Sequence, residues 1–374
     1  MRVLVLNVGS SSLKGSIVDT ADLATMAKAE VSLGTDATRQ KGIARTVRLL
    51  LSKLEPAGVE AVGHRVVQGG TKFRSAVRVD DRVLNGIEAL AEFAPLHNPV
   101  AAATIRAARS ALPKLPQVAA FDTAFHATLS EEQFLYPVPW RWHREYGIRR
   151  FGFHGLSVEW STRRAAELLG RPAAALALVV AHLGSGCSVT AVLKGRSVAT
   201  SMGLTPMEGL MMGTRSGSID PGILLYMLRT RRTGRRELET ALDHESGLVG
   251  VFGRAAGMRE LETAAGEGNQ RAQLAIDMFV SRAAAGIAAV ATALPHLDGM
   301  VFTGGIGEHS ASVRSAIARR LAPLGLPSVP MTDVRNDAVI GRSGDGSAVL
   351  RIEAREDAVI AGQVDALMTS RRTK

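Results

Sequence analysis

The N-terminal stretch MRVLVLNVGSSSLKGSIVD, Met1 to Asp19, decides how the rest of the chain is read. Val3 to Leu6 is an apolar run rich in β-branched residues, the pattern of a buried strand. Ser16 to Asp19 reads as the strand returning. The turn between them holds three consecutive serines and Lys14, where a plain Asn-Gly would close a hairpin. A solvated loop is one reading of that turn. The other is a phosphate cradle: glycine lets backbone approach an anion, amides and hydroxyls donate to it, and lysine adds charge. A Walker A loop needs G-x-x-x-x-G-K-[ST], which is absent, so any phosphate here is held on a different fold.

The opening pattern returns about half a chain later. ALALVVAHLGSGCSVTAVLKG, from Ala175 to Gly195, again reads as apolar strand, Gly-Ser turn and returning strand. Two independent α/β domains could each own such a turn. Alternatively, two related halves hold one polyphosphate between them, and a third glycine-rich turn is then expected for the nucleoside. DGMVFTGGIGEHSASVR, Asp298 to Arg314, supplies it as strand, Gly304-Gly305-Ile306-Gly307 and a helical pattern. Between these landmarks, Ala61–Gly70 and Gln117–Asp122 read as strands ending in polar residues. The run from His97 to Leu112 reads as a helix with Asn98 as N-cap and Pro99 at the first helical position. No solenoid period is present.

Composition narrows the class. The chain has 374 residues, 46% hydrophobic and 21% charged, which suits two soluble α/β domains. One cysteine, Cys187, leaves no internal disulfide and fits a reducing compartment. The first strand begins almost at Met1, and Ala173–Ala181 is too short to span a bilayer, so a cytoplasmic protein with no membrane partner is expected. The net charge of +10 raises nucleic-acid binding, but the arginines are scattered and aromatics are only 4%, too few for stacking platforms. A basic field also draws in small anions such as nucleotides.

Nine ordered motifs resemble the acetate/propionate kinase family: LVLNVGSSSLK, VGHRVVQGG, APLHNPVAA, FDTAFHATL, RRFGFHGLS, AHLGSGCSV, TSMGLTPMEGLMMGTRSGSIDPG, SGLVGVFG and FTGGIGEHS. The resemblance covers essentially the whole chain. It implies a two-domain actin-like ATPase of the actin/Hsp70/sugar-kinase fold, a duplicated ribonuclease H-like α/β clamshell with an interdomain cleft. The N-terminal domain would be 1–122, with 358–374 folding back onto it, and the nucleotide-binding and dimerisation domain 123–357. It also implies reversible, ATP-dependent phosphorylation of acetate to acetyl phosphate with Mg2+, in a homodimer. Propionate or another short-chain acid is the alternative substrate. A nucleotide sensor of the same fold is the alternative outside catalysis.

The chemistry can be argued beside the resemblance. Phosphoryl transfer to a carboxylate crowds negative charge, so catalysis is mainly positioning and neutralisation. Arginine forks suit both oxygen groups. Arg65 in GHRVV and Arg215 in MGTRSG lie at non-periodic, glycine-flanked positions, and the resemblance has them flank the acyl substrate and the phosphoryl group. Asp122 ends a strand, the usual place for functional residues in α/β sheets. Acetate is already anionic at neutral pH, so Asp122 need not be a base and can orient an arginine or the metal's waters; the resemblance makes it a catalytic acid/base candidate, so its role at the site stays open. A lone histidine at position 154 is more often a core hydrogen-bonder; the family pattern makes His154 a donor to the phosphoryl oxygens, with His97 in support.

The resemblance also assigns Asn7 and Glu356 to the metal, and Val67, Leu96 and Pro206 to the wall around the acyl methyl group. For ATP it implies Ser10, Ser12, Lys14, the turn His182, Leu183, Gly184, Ser185, Gly186, the segment Gly257, Met258, Arg259, and Gly304, Gly305, Ile306, Gly307, Glu308. The sequence departs from the family pattern at Gln68, Leu156, Val158, Ser185, Ala199, Ser218, Gly257 and His309. Ser185 and Gly257 bear on nucleotide preference.

Overall fold

The computed structural model describes residues 1–9, 12–33, 40–344 and 346–369. It divides into two units: 1–127 with 153–160 and 355–374, and 128–152 with 161–354. The sequence-based boundary at Asp122 thus differs by residues 123–127, 153–160 and 355–357, which pack in the first unit.

Six strands form the first unit's sheet: β1 (Arg2–Val8), β2 (Ser12–Asp19), β3 (Thr25–Ser32), β4 (Ala61–Val66), β5 (Val77–Arg78) and β6 (Gln117–Phe121). Their order is β3-β2-β1-β4-β6-β5. β1, β2 and β3 are an antiparallel meander, β1, β4 and β6 run parallel, and β5 is antiparallel at the edge. The unbroken apolar run of β1 has a physical cause in its two covered faces. Leu4 and Leu6 point into one core with Val47, Leu50, Ile105 and Ala108, from helices Gln40–Leu54 and Asn98–Ala111. Val3 and Val5 point into the other with Ile360 and Val364 of the C-terminal helix Glu356–Thr369.

One expectation about helix Asn98–Ala111 is corrected. Its N-cap is His97, and Asn98 is the first helical residue. The Asn98 side chain is fully buried and engaged elsewhere: its amide donates to the carbonyls of Gln68 and Ile87, and its oxygen accepts from the Gln68 N–H. It holds the turn after β4 rather than the helix end.

The second unit repeats the first sheet's plan with β7 (Ala177–Leu183), β8 (Cys187–Leu193), β9 (Arg196–Thr200), β10 (Gly299–Thr303), β11 (Ala338–Arg342) and β12 (Ala348–Arg351). Read as β9-β8-β7-β10-β12-β11, the order and strand directions match those of the first sheet one for one. The similarity of the two Gly/Ser hairpins in the sequence is therefore a similarity of whole sheets. Helix Gln270–Ala291 is long and apolar enough to cross a membrane by composition. Its Ala272, Phe279, Ala283 and Ile287 are buried, and it packs against β8 and helices Gly247–Phe252, Met258–Gly266 and Ala311–Leu321 as a core helix.

Candidate active site

In the first unit, the three parallel strands present their carboxyl ends side by side, and each contributes one polar group. Asn7 lies near the end of β1, Arg65 near the end of β4, and Asp122 directly follows β6. The Arg65 fork is bidentate on Asp122, with Nε 2.9 Å from Oδ1 and Nη2 2.6 Å from Oδ2. Arg65 Nη1 donates to Asn7 Oδ1 at 3.1 Å, and Asn7 Nδ2 donates to Glu356 Oε2 at 2.9 Å. Glu356, at the first position of the C-terminal helix, also lies 3.5 Å from Arg65 Nε. Asp122 is 1% exposed, while Arg65 and Glu356 keep some exposure.

Electrostatics follow from this geometry. Burial acts to lower the Arg65 pKa, but the carboxylates of Asp122 and Glu356 outweigh it, and Arg65 is held above its ordinary value. Burial raises Asp122, and Glu356 adds to the rise; Arg65 and the backbone N–H of His154 pull the other way. His154 lies half-buried in the left-handed region with φ +58°. Gly155 N–H donates to the Asp122 carbonyl at 3.0 Å. A Cβ on Gly155 would come within 2.1 Å of that oxygen, so only glycine lets the His154 segment close on Asp122. Two carboxylates against one guanidinium leave the cluster with an excess negative charge.

The second unit brings together two of the turns singled out in the sequence. The parallel register of β7 and β10 pairs His182 with Thr303, which sets the β7–β8 turn beside the turn after β10. Gly184 N–H donates to the Gly186 carbonyl at 3.0 Å, and Gly213 N–H to the Ser185 carbonyl at 3.1 Å. Gly304 has φ +76°, and a Cβ there would lie 2.8 Å from the Leu183 carbonyl oxygen. Around Gly305 nothing lies within 4 Å of an added Cβ. Gly257 caps helix Met258–Gly266, its N–H bound by Glu260; Met258 is buried and Arg259 exposed. Glu262 of that helix accepts from Ser310 and Ser312, tying it to the region that follows Gly304–His309.

Arg215 is half-buried in the same unit, and among the described residues its guanidinium has one hydrogen-bond partner, the Pro206 carbonyl. Burial lowers its pKa, with Asp243 and Cys187 opposing. Such an arginine is only partly satisfied by protein groups, as an anion site requires. The Cys187 thiol is pushed up to about 12 by burial and donates to the Gly184 carbonyl, so it is not a nucleophile.

Other sequence-assigned residues are placed as follows. Val67 is buried just after β4, whereas Leu96 is 53% exposed. His97 caps helix Asn98–Ala111. Ser12 and Lys14 belong to β2, and Ser10 lies outside the described residues. The Glu308 carboxylate is 7% exposed, accepts from Ala354 N–H at 3.0 Å and faces Arg351. A linked trio of Tyr136, Arg150 and Glu208, which holds the loop carrying Pro206, was not singled out in the sequence. Their separations of 58 to 72 residues hide the link, although Arg150 and Glu208 both lie in quoted motifs.

Twin mixed sheets of one plan, with an arginine–carboxylate cluster in one and glycine turns in the other, place the protein in the class of the actin/Hsp70/sugar-kinase fold. Comparison with known proteins gives the particular branch. Residues 2–362 match the acetokinase family, and the chain belongs to it. It is 44% identical over 404 residues to an acetate kinase of Deinococcus radiodurans, covering 99% of each chain. To a propionate kinase of Citrobacter rodentium it is 42% identical over 386 residues, covering 97% of this chain and 96% of that one. The crystal structure of Porphyromonas gingivalis acetate kinase is similar with a TM-score of 0.88 at 30% identity, covering 98% and 99%. The activity is ATP-dependent phosphorylation of acetate to acetyl phosphate, and the family works with a divalent metal.

Proposed function

We propose that Arg65 binds the carboxylate acceptor, that Arg215 neutralises the transferring phosphoryl group, and that His154 donates to its oxygens. The observation carrying this reading is the bidentate Arg65–Asp122 pair, linked through Asn7 to Glu356 at the ends of three parallel strands. Asp122 then orients Arg65 and fixes its charge; a carboxylate acceptor brings no proton that a base must remove. Val67, Leu96 and Pro206 contact the methyl group, with His97 in support. ATP is bound by Ser10, Ser12 and Lys14, by His182–Gly186, by Gly257–Arg259 and by Gly304–Glu308.

The metal is Mg2+. Among the described residues no three His, Cys, Asp or Glu side chains form an all-protein cage. Asn7 and Glu356 offer an amide and a carboxylate in contact, in a cluster of excess negative charge. That fits an ion that takes one or two protein oxygens and fills its shell with water and phosphate. When bound, it would neutralise charge on the phosphate chain. The chain's own task there is to hold Asn7 and Glu356 in place through Arg65.

Acetate is the substrate in this reading. Propionate is the second, because relatives named for either acid are about equally similar. One methylene in an apolar wall separates substrates by only about 1–3 kcal/mol. Trapping the acyl phosphate as a hydroxamate, with acetate, propionate and butyrate compared by kcat/KM, tests this: acetate should lead. A tenfold preference for propionate would reverse the order. Exposed Trp140, Tyr146, Ile223, Leu225, Tyr226 and Leu228 of the second unit support a homodimer, testable by light scattering. The single, buried cysteine supports a cytoplasmic location.

A further inference from the structure

We propose that Glu208 is a positioning residue for Arg215, acting through the loop that carries Pro206 and held there by Tyr136 and Arg150. The proposal rests on the reading of Arg215 as the group that neutralises the phosphoryl oxygens.

Among the described residues the Arg215 guanidinium has one hydrogen-bond partner, the Pro206 carbonyl, so that oxygen fixes where the fork points. Pro206 lies in the loop 201–208, and residues on both sides of it are pinned. Arg150 Nη1 donates to the carbonyls of Ser201 at 2.9 Å and Met202 at 3.1 Å. Leu204 N–H donates to the Tyr136 hydroxyl at 2.9 Å. The Tyr136 hydroxyl in turn donates to Glu208 Oε2, and Arg150 Nη2 donates to Glu208 Oε1 at 2.8 Å.

Glu208 is thus the joint at which both supports meet, and both of its oxygens are engaged. Its negative charge repels the acetate and phosphate groups of the reaction, which separates its role from that of a ligand. Charge-assisted bonds at both oxygens make it a stiff joint. The supports are themselves anchored: Arg150 N–H donates to the Phe134 carbonyl at 2.7 Å, and the Arg149 guanidinium stacks 3.6 Å over the Phe134 ring. The loop is packed without slack, since a Cβ on Gly203 would fall 1.7 Å from Glu208 Oε2 and 2.1 Å from the Tyr136 oxygen. A misplacement of about 1 Å at a positioned group costs roughly 10²-fold in rate.

A double-mutant cycle in the full-length protein tests this, with kcat measured by hydroxamate trapping and folding followed by thermal unfolding. Glu208→Ala should lower kcat tenfold or more with little change in the KM for ATP. In an Arg215→Ala background the same substitution should cost less than twofold, because the group it positions is gone. Glu208→Gln, which keeps an acceptor oxygen, should recover most of the loss. Should Glu208→Ala fail to fold, Tyr136→Phe runs the same cycle with a smaller loss. Equal losses in both backgrounds, or a loss below twofold from both Glu208→Ala and Tyr136→Phe, would overturn the proposal. If Arg215→Ala alone costs less than tenfold, the reading of Arg215 fails instead, and the two failures are told apart.

Discussion

At the scale of single residues, the two arginines assigned to charge neutralisation differ in what their loss leaves behind. Arg65 is paired with a carboxylate that is 1% exposed, and Arg215 with a carbonyl. Both Arg65→Ala and Arg215→Ala are expected to lower kcat by about 10³–10⁵. Only Arg65→Ala should also destabilise the fold, by about 3–5 kcal/mol, because it strands Asp122. The sign with pH follows. A stranded carboxyl has a raised folded-state pKa, so its cost is greatest when it must ionise and shrinks as pH falls and it takes a proton. Thermal unfolding of Arg65→Ala against the parent from pH 7 to 5 should show the gap closing; equal gaps at all pH would remove Asp122 as the cause. Asn7, Arg65 and Asp122 stand in the ordered motifs and Glu356 outside them, and the contacts that join the four carry no sequence signal. Asn7 and Glu356 are 349 positions apart, and a hydrogen bond at that separation leaves no local signal.

At the scale of elements, the hairpins and the glycine-rich turn were legible because each has its own periodicity and punctuation. The short edge strands β5 and β11 were not, since two to five half-exposed residues carry too little pattern. The residue type of Asn98 favours a cap, and its tertiary partners override that preference. The turn after β10 permits a sharper test of fold against function. Gly304→Ala meets both a left-handed φ and the Leu183 carbonyl, and should destabilise by about 1–3 kcal/mol. Gly305→Ala meets nothing within 4 Å, so its melting temperature should stay within a degree or two of the parent. If Gly305 is there to let a phosphate approach the backbone, its KM for ATP rises at least tenfold while that for acetate holds. An unchanged KM for ATP would leave the glycine with no part in nucleotide binding.

At the scale of the whole molecule, the two sheets share a plan but not a response to acid. The first unit buries two histidines, His64 and His126, each 1% exposed. Burial pushes both down to about 4, against hydrogen bonds to Gln117 and the Phe153 carbonyl that favour the charged form. The unfolded chain returns them to about 6.5, so between pH 6.5 and 4 the unfolded state binds more protons. Stability is full above 6.5 and is lost as pH falls, by up to about 3 kcal/mol for each histidine. Asp122, raised by burial, works in the opposite direction and offsets part of this loss. In the second unit, burial acts to raise Asp298, but the Ala177 N–H and Arg171 together outweigh it and hold the carboxyl below the ordinary aspartate range. Its contribution is lost only at pH values below the histidine window. Acid should therefore unfold the first unit before the second. Hydrogen exchange at pH 7, 5.5 and 4.5 checks this by comparing β1, β4 and β6 with β7, β10 and β12. The first set should lose protection while the second keeps it, and His64→Gln with His126→Gln should narrow the difference. Protection lost in step across both sheets would mean that the buried histidines do not govern the acid transition.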